Sequence, residues 1–112
     1  MISSRKQLQN NVLDVAKTIE GLNTFENYIK CRVLEIVYKT TESLEFLGAE
    51  LLVAYGGPTV TVNTQTNTVK GSWALDNYEV AYTNPDLENH LELKYIKQMN
   101  SLLATDSTRR IK

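Results

Sequence analysis

The chain is poor in the residues that most often carry chemistry. Among its 112 residues are one cysteine and one histidine, with two prolines and no long apolar run. Cys31 has no partner for an internal disulfide, and neither Cys31 nor His90 has a second ligand at metal-binding spacing. No metal and no cofactor are therefore expected. No apolar segment approaches the roughly 18 residues that a membrane-spanning helix needs. The opening MISSRKQLQNN lacks the apolar centre of an export signal, so a cytoplasmic protein is expected. The length suits one domain, expected over residues 1–105, followed by a frayed basic tail at 106–112.

Catalytic constellations are also scarce. His90 lies four residues from Asp86 and from Lys94, the spacing of an exposed, locally paired helix residue. Cys31 stands in an apolar stretch and reads as a buried small hydrophobe. Asp86, Glu88 and Glu92 could be imagined around Mg²⁺, but first-turn carboxylates at 86 and 88 are explained by the helix dipole. Gly56-Gly57-Pro58 follows an apolar stretch and leads into a strand, the reverse of a phosphate-binding loop. The reading is non-enzymatic.

A net charge of −1 conceals an uneven distribution. Residues 1–40 balance at +2, residues 41–93 at −7 and residues 94–112 at +4. Such a middle segment suits a solvated surface or one that steers toward a basic partner. Arg5, Lys6, Arg109, Arg110 and Lys112 could make a basic patch only if the termini meet, and direct nucleic-acid binding is not favoured.

Hydrophobic spacing predicts an α+β fold. Leu8, Val12, Val15, Ala16 and Ile19 form a helical stripe that stops at Gly21. Asn23 with Glu26 reads as a capping box for a second helical pattern, through Phe25, Ile29, Val33, Ile36, Leu44, Leu47 and Leu51. The expectation is one helix over residues 24–55, or two broken near Thr40, although the β-branched CRVLEIVYKTT also suits a strand. Gly56-Gly57-Pro58 would end that helix.

The period then changes to two. Val60 and Val62, then Val69, Gly71, Trp73 and Leu75, then Tyr78, Val80 and Tyr82 describe a three-stranded antiparallel meander. A loop at 64–67 sets Val62 opposite Val69 and Val60 opposite Gly71. An Asp76-Asn77 turn would set Leu75 opposite Tyr78, Trp73 opposite Val80 and Gly71 opposite Tyr82. The edge at residues 59–63 carries no charge, so strand-to-strand dimerisation is one expectation; pairing through the long second helix is another. Asn84, Pro85, Asp86 and Glu88 mark the start of a closing C-terminal helix with Leu87, Leu91, Tyr95, Met99 and Leu102 on one stripe. The expected architecture is N-terminal helices packed on the three-stranded meander, closed by that helix.

The stretch GGPTVTVNTQTNTVKGSW resembles a pattern found in short proteins of phages and mobile elements of Gram-positive bacteria. Gly56, Gly57, Pro58, Val60, Val62, Thr64, Val69, Gly71 and Trp73 carry the resemblance, over under a fifth of the chain. It implies an antagonist of host defence, of the anti-CRISPR type, that binds a protein partner with a basic surface such as a CRISPR effector. The chain departs from a strong DNA mimic in being less acidic after the sheet. The residues expected to supply charge at that contact are Glu42, Glu45, Glu50, Asp76, Glu79, Glu88 and Glu92.

Overall fold

The computed structural model describes the backbone of residues 4–111 and the side chains of residues 5–102. Helices α1 (Ser4–Glu20) and α2 (Phe25–Arg32) precede five strands. These are β1 (Glu35–Thr40), β2 (Phe46–Ala54), β3 (Thr59–Asn63), β4 (Thr68–Trp73) and β5 (Asp76–Ala81), and α3 (Pro85–Ile111) follows them. The strands form one antiparallel sheet in chain order. The class is α+β, with five strands where the sequence pattern suggested three.

The two additional strands come from the segment expected to be helical. Helix α2 stops at Arg32 because Val33 already has extended backbone, φ −89° and ψ 123°. Ile36 and Tyr38 of β1 then face Leu51 and Ala49 of β2. Two features disguise the period of two. Leu44 lies in the β1–β2 loop at φ 66°, and the register shifts between Lys39 and Thr40, leaving Leu47 as the extra residue of a bulge. Both fell by coincidence on the helical stripe. Gly56-Gly57-Pro58 accordingly turns the β2–β3 hairpin instead of ending a helix, with Gly56 at φ 102°. Residues 59–63 pair with β2 as well as β4, so they lie inside the sheet and not at its edge. The edges are β1 and β5.

The β3–β4 register is the one expected, Val62 opposite Val69 and Val60 opposite Gly71. Asn63 fixes the loop, its Oδ1 accepting the backbone N–H groups of Gln65 and Thr66 at 2.9 and 3.2 Å. The β4–β5 turn differs from the expectation. Ala74 and Leu75 form it, Ala74 at φ 54°, and Trp73 pairs with Asp76, Gly71 with Tyr78 and Val69 with Val80. An Asp76-Asn77 turn would have set Val80 against Trp73 in place of Val69. The displacement is even, so every side chain keeps its expected face.

All three helices occupy one side of the sheet. Leu8, Val12, Ala16 and Ile19 of α1 are buried, as the spacing predicts, together with Leu51, Val60, Val62 and Val69 of the sheet. Helix α1 lies over β4 and β5. A Cβ at Gly71 would overlap Val12 Cγ2 and come within 2.9 Å of Leu8 Cδ1, so glycine here sets how closely the helix approaches. Helix α3 buries Leu87, Leu91 and Tyr95. Tyr95 meets Tyr38 and Phe46 at centroid distances of 5.3 and 5.8 Å, and its hydroxyl donates to Leu44 O at 2.7 Å.

The start of α3 is tied to the end of α1. Leu87 N–H donates to Asn84 O at 3.2 Å, while the Asn84 side chain donates to Ile19 O at 2.7 Å instead of capping its own helix. Thr83 N–H donates to Glu20 Oε2 at 3.1 Å. At α2, Thr24 and not Asn23 holds the N-cap position, without a side-chain hydrogen bond. The α3 backbone remains helical through Ile111, into the stretch expected to be a tail; the side chains of residues 103–112 lie outside those described.

Candidate functional site

The alternation of the strands assigns half of their side chains to the face away from the helices. Register places Glu35, Leu52, Thr61, Lys70 and Glu79 in one row across all five strands, and Val37, Glu50, Asn63, Thr68 and Ala81 in the next. Thr59, Ser72 and Asn77 continue the face at one end. No helix covers it. Short hydroxyl and amide side chains keep the centre low, and Val37 on the edge strand is half exposed.

Charge on this face is mixed. Glu35, Glu50 and Glu79 stand among Lys39 and Lys70. The Lys39 ammonium pairs with Glu50 Oε1 at 3.5 Å, and Asn63 Nδ2 donates to the same oxygen at 3.4 Å. Lys70 and Glu79 are direct cross-strand neighbours. Much of the charge is therefore compensated within the face.

The acidic residues expected to act together are dispersed. Glu50 and Glu79 share the outer face but sit on β2 and β5, three strand spacings or roughly 14 Å apart. Glu42 and Glu45 lie in the β1–β2 loop, where Thr41 Oγ1 accepts Glu45 N–H at 3.1 Å. Asp76 opens β5, at the opposite end of the sheet from that loop. Glu88 and Glu92 lie on α3, in the helical layer.

A second polar cluster joins α2 to α3. His90 Nε2 lies 2.7 Å from Glu26 Oε1, and Lys94 Nζ donates to the same carboxylate at 3.3 and 3.5 Å. The Phe25 ring packs against His90 at 5.3 Å. The hydrogen bond from His90, helped by Lys94 and opposed by desolvation, holds the Glu26 carboxyl below its ordinary range. His90 is thus paired across the fold, not with Asp86 as helical spacing suggested. A shallow groove of about 380 Å³ opens beside the cluster, lined by Glu26, His90, Leu93, Lys94 and Lys97. Spacing within one helix could reveal His90 and Lys94 but not Glu26, which is 64 residues from His90.

Cys31 is exposed, contrary to its expected burial; the residues that α2 buries are Tyr28 and Ile29. Among the described residues no group of three or more His, Cys, Asp or Glu side chains could hold a metal ion. No helix among them is long and apolar enough to cross a membrane. Comparison of the chain with family models, curated proteins and solved structures finds no match.

Proposed function

We propose that the protein is a small non-enzymatic binding protein that docks a protein partner on the outer face of its sheet. The observation carrying this reading is the five-stranded face itself, with continuous, mostly polar rows across all five strands and the described helix side chains packed on the other side. Leu52, Val37 and Ala81 would supply apolar contact, the Thr, Ser and Asn side chains hydrogen bonds, and Glu35 and Glu79 charge on the two edge strands. In its narrower form the partner is a host-defence nucleoprotein and the chain its inhibitor, of the anti-CRISPR type, covering a basic site. The resemblance of residues 56–73 supports that form, and Glu42 and Glu45 in the adjoining loop would extend the negative rim.

Capture of partners by the tagged protein, from a Gram-positive lysate expressing CRISPR effectors, tests both forms. A basic nucleic-acid-handling protein released by high salt is expected. Thr61→Arg combined with Glu79→Lys should abolish capture, while Glu88→Lys combined with Glu92→Lys on the helical layer should leave it intact. Capture that survives the sheet variant, or that is indifferent to salt, would overturn the assignment.

A further inference from the structure

Among the described residues of α3, the buried side chains, Leu87, Leu91 and Tyr95, lie in its first half. From Ile96 to Leu102 only Met99 is even partly covered. The helix has 27 residues, or about 40 Å of length, and five strands side by side span only about 20 Å. The molecule is correspondingly drawn out, 64 by 27 by 26 Å. Past Tyr95 the described part of α3, residues 96–102, is an arm largely open to solvent. Isolated helical segments of this length are marginal in water, so such an arm needs a partner.

The opposite side of the helix from Leu87, Leu91 and Tyr95 indicates what that partner is. Leu93 and Ile96 are 68% and 44% exposed there, and Asn100 follows on the same line with coiled-coil spacings of three and four residues. Leu103 continues this spacing in the sequence. Grooves of about 380 and 310 Å³ flank Leu93, one on each side. Glu92 and Lys97 border the line on opposite sides, five residues apart. That is the offset at which unlike charges meet between two parallel helices. A single Asn on the seam serves the same alignment, since parallel packing places it against its own copy.

We propose that α3 is a dimerisation helix, two copies of the chain packing their Leu93–Ile96–Asn100 lines in parallel about a twofold axis, with Glu92 of each facing Lys97 of the other. This surface is distinct from the outer sheet face and does not depend on the function proposed for it. It also replaces the two self-association surfaces suggested by the sequence, since residues 59–63 lie inside the sheet and the long second helix is not formed.

Light scattering of the full chain at high micromolar concentration, with reductant to silence exposed Cys31, should give twice the 12.7 kDa chain mass. Leu93→Glu with Ile96→Glu should return the mass to 12.7 kDa, with the circular dichroism of the folded body retained. Direction is read from Asn100→Cys in a Cys31→Ser background. Oxidation should yield a covalent dimer, because only parallel packing brings position 100 against itself. A single-chain mass for the unaltered protein, a dimer that survives the double substitution, or no cross-link at position 100 would each overturn the proposal.

Discussion

Leu51 and Leu52 are chemically identical neighbours on one strand, yet they belong to different environments. Leu51 points toward the helices and is fully buried; Leu52 points the other way, in a row with Thr61 and Lys70, and keeps part of its surface exposed. The same contrast runs across the whole sheet. The inner face is Val, Leu, Ile, Ala, Tyr and Trp, with one glycine admitting α1; the outer face is mostly Thr, Ser, Asn, Glu and Lys. Stability is invested in one side, which leaves the residues of the other free to vary with whatever they contact. In a protein of this size, a binding surface can be kept apart from the core by strand alternation alone.

The contrast is sharpened most by truncating each leucine. Leu51→Ala should destabilise by roughly 2–5 kcal/mol through lost burial and a cavity, and Leu52→Ala by under about 1 kcal/mol, as read by urea unfolding. Equal losses would break the distinction between the faces. The next effect concerns Thr64, buried beside β2, whose Oγ1 accepts Ala49 N–H at 2.9 Å. Thr64→Val leaves that donor unpaired and should cost roughly 1–3 kcal/mol.

Base should attack the inner side first. Burial pushes the Tyr82 phenol up to about 12, and raises Tyr28 and Tyr38 as well. The neutral phenols are favoured in the folded chain, so this contribution is complete below pH 10 and is lost as pH rises toward 12. A loss on the order of 1–2 kcal/mol over that window is expected from Tyr82, measured by thermal unfolding against pH. A flat profile would mean that the phenol is not shielded. Within the aromatic cluster, Tyr95→Phe should cost about 1 kcal/mol by removing its bond to Leu44 O. Tyr38→Phe should be neutral or stabilising, since the Tyr38 hydroxyl is buried without a hydrogen-bond partner. The smallest effect belongs to the outer face: Glu50→Ala, which opens a partly exposed ion pair, should change stability by no more than about 0.5 kcal/mol.

How much of this was legible in the sequence varied with the kind of signal. Strands β3 to β5 alternate cleanly, and their faces were readable even though the Ala74-Leu75 turn was not. Alanine and leucine carry no turn signature, whereas the adjacent Asp76 and Asn77 do, yet those two residues are paired in β5. Strand β2 was hidden by its small inward residue Ala49, by Gly48 and by the bulge at Leu47, which together remove the regular apolar alternation. The outer face could be partly foreseen from Thr59, Thr61, Lys70, Ser72 and Glu79. Its full width depended on recognising β1 and β2. The Glu26–His90–Lys94 cluster depends on how α2 meets α3, and no local pattern encodes that meeting.

The fit of Val12 against Gly71 has a consequence for the order of events during synthesis. Helix α1 leaves the ribosome about 60 residues before β4 and β5, the strands that cover it. At ordinary translation speeds that interval is on the order of several seconds, far longer than a helix takes to form. For that time Leu8, Val12, Ala16 and Ile19 have none of their final neighbours on β4 and β5, and a nascent chain cut short before residue 71 would still display them to any chaperone within reach.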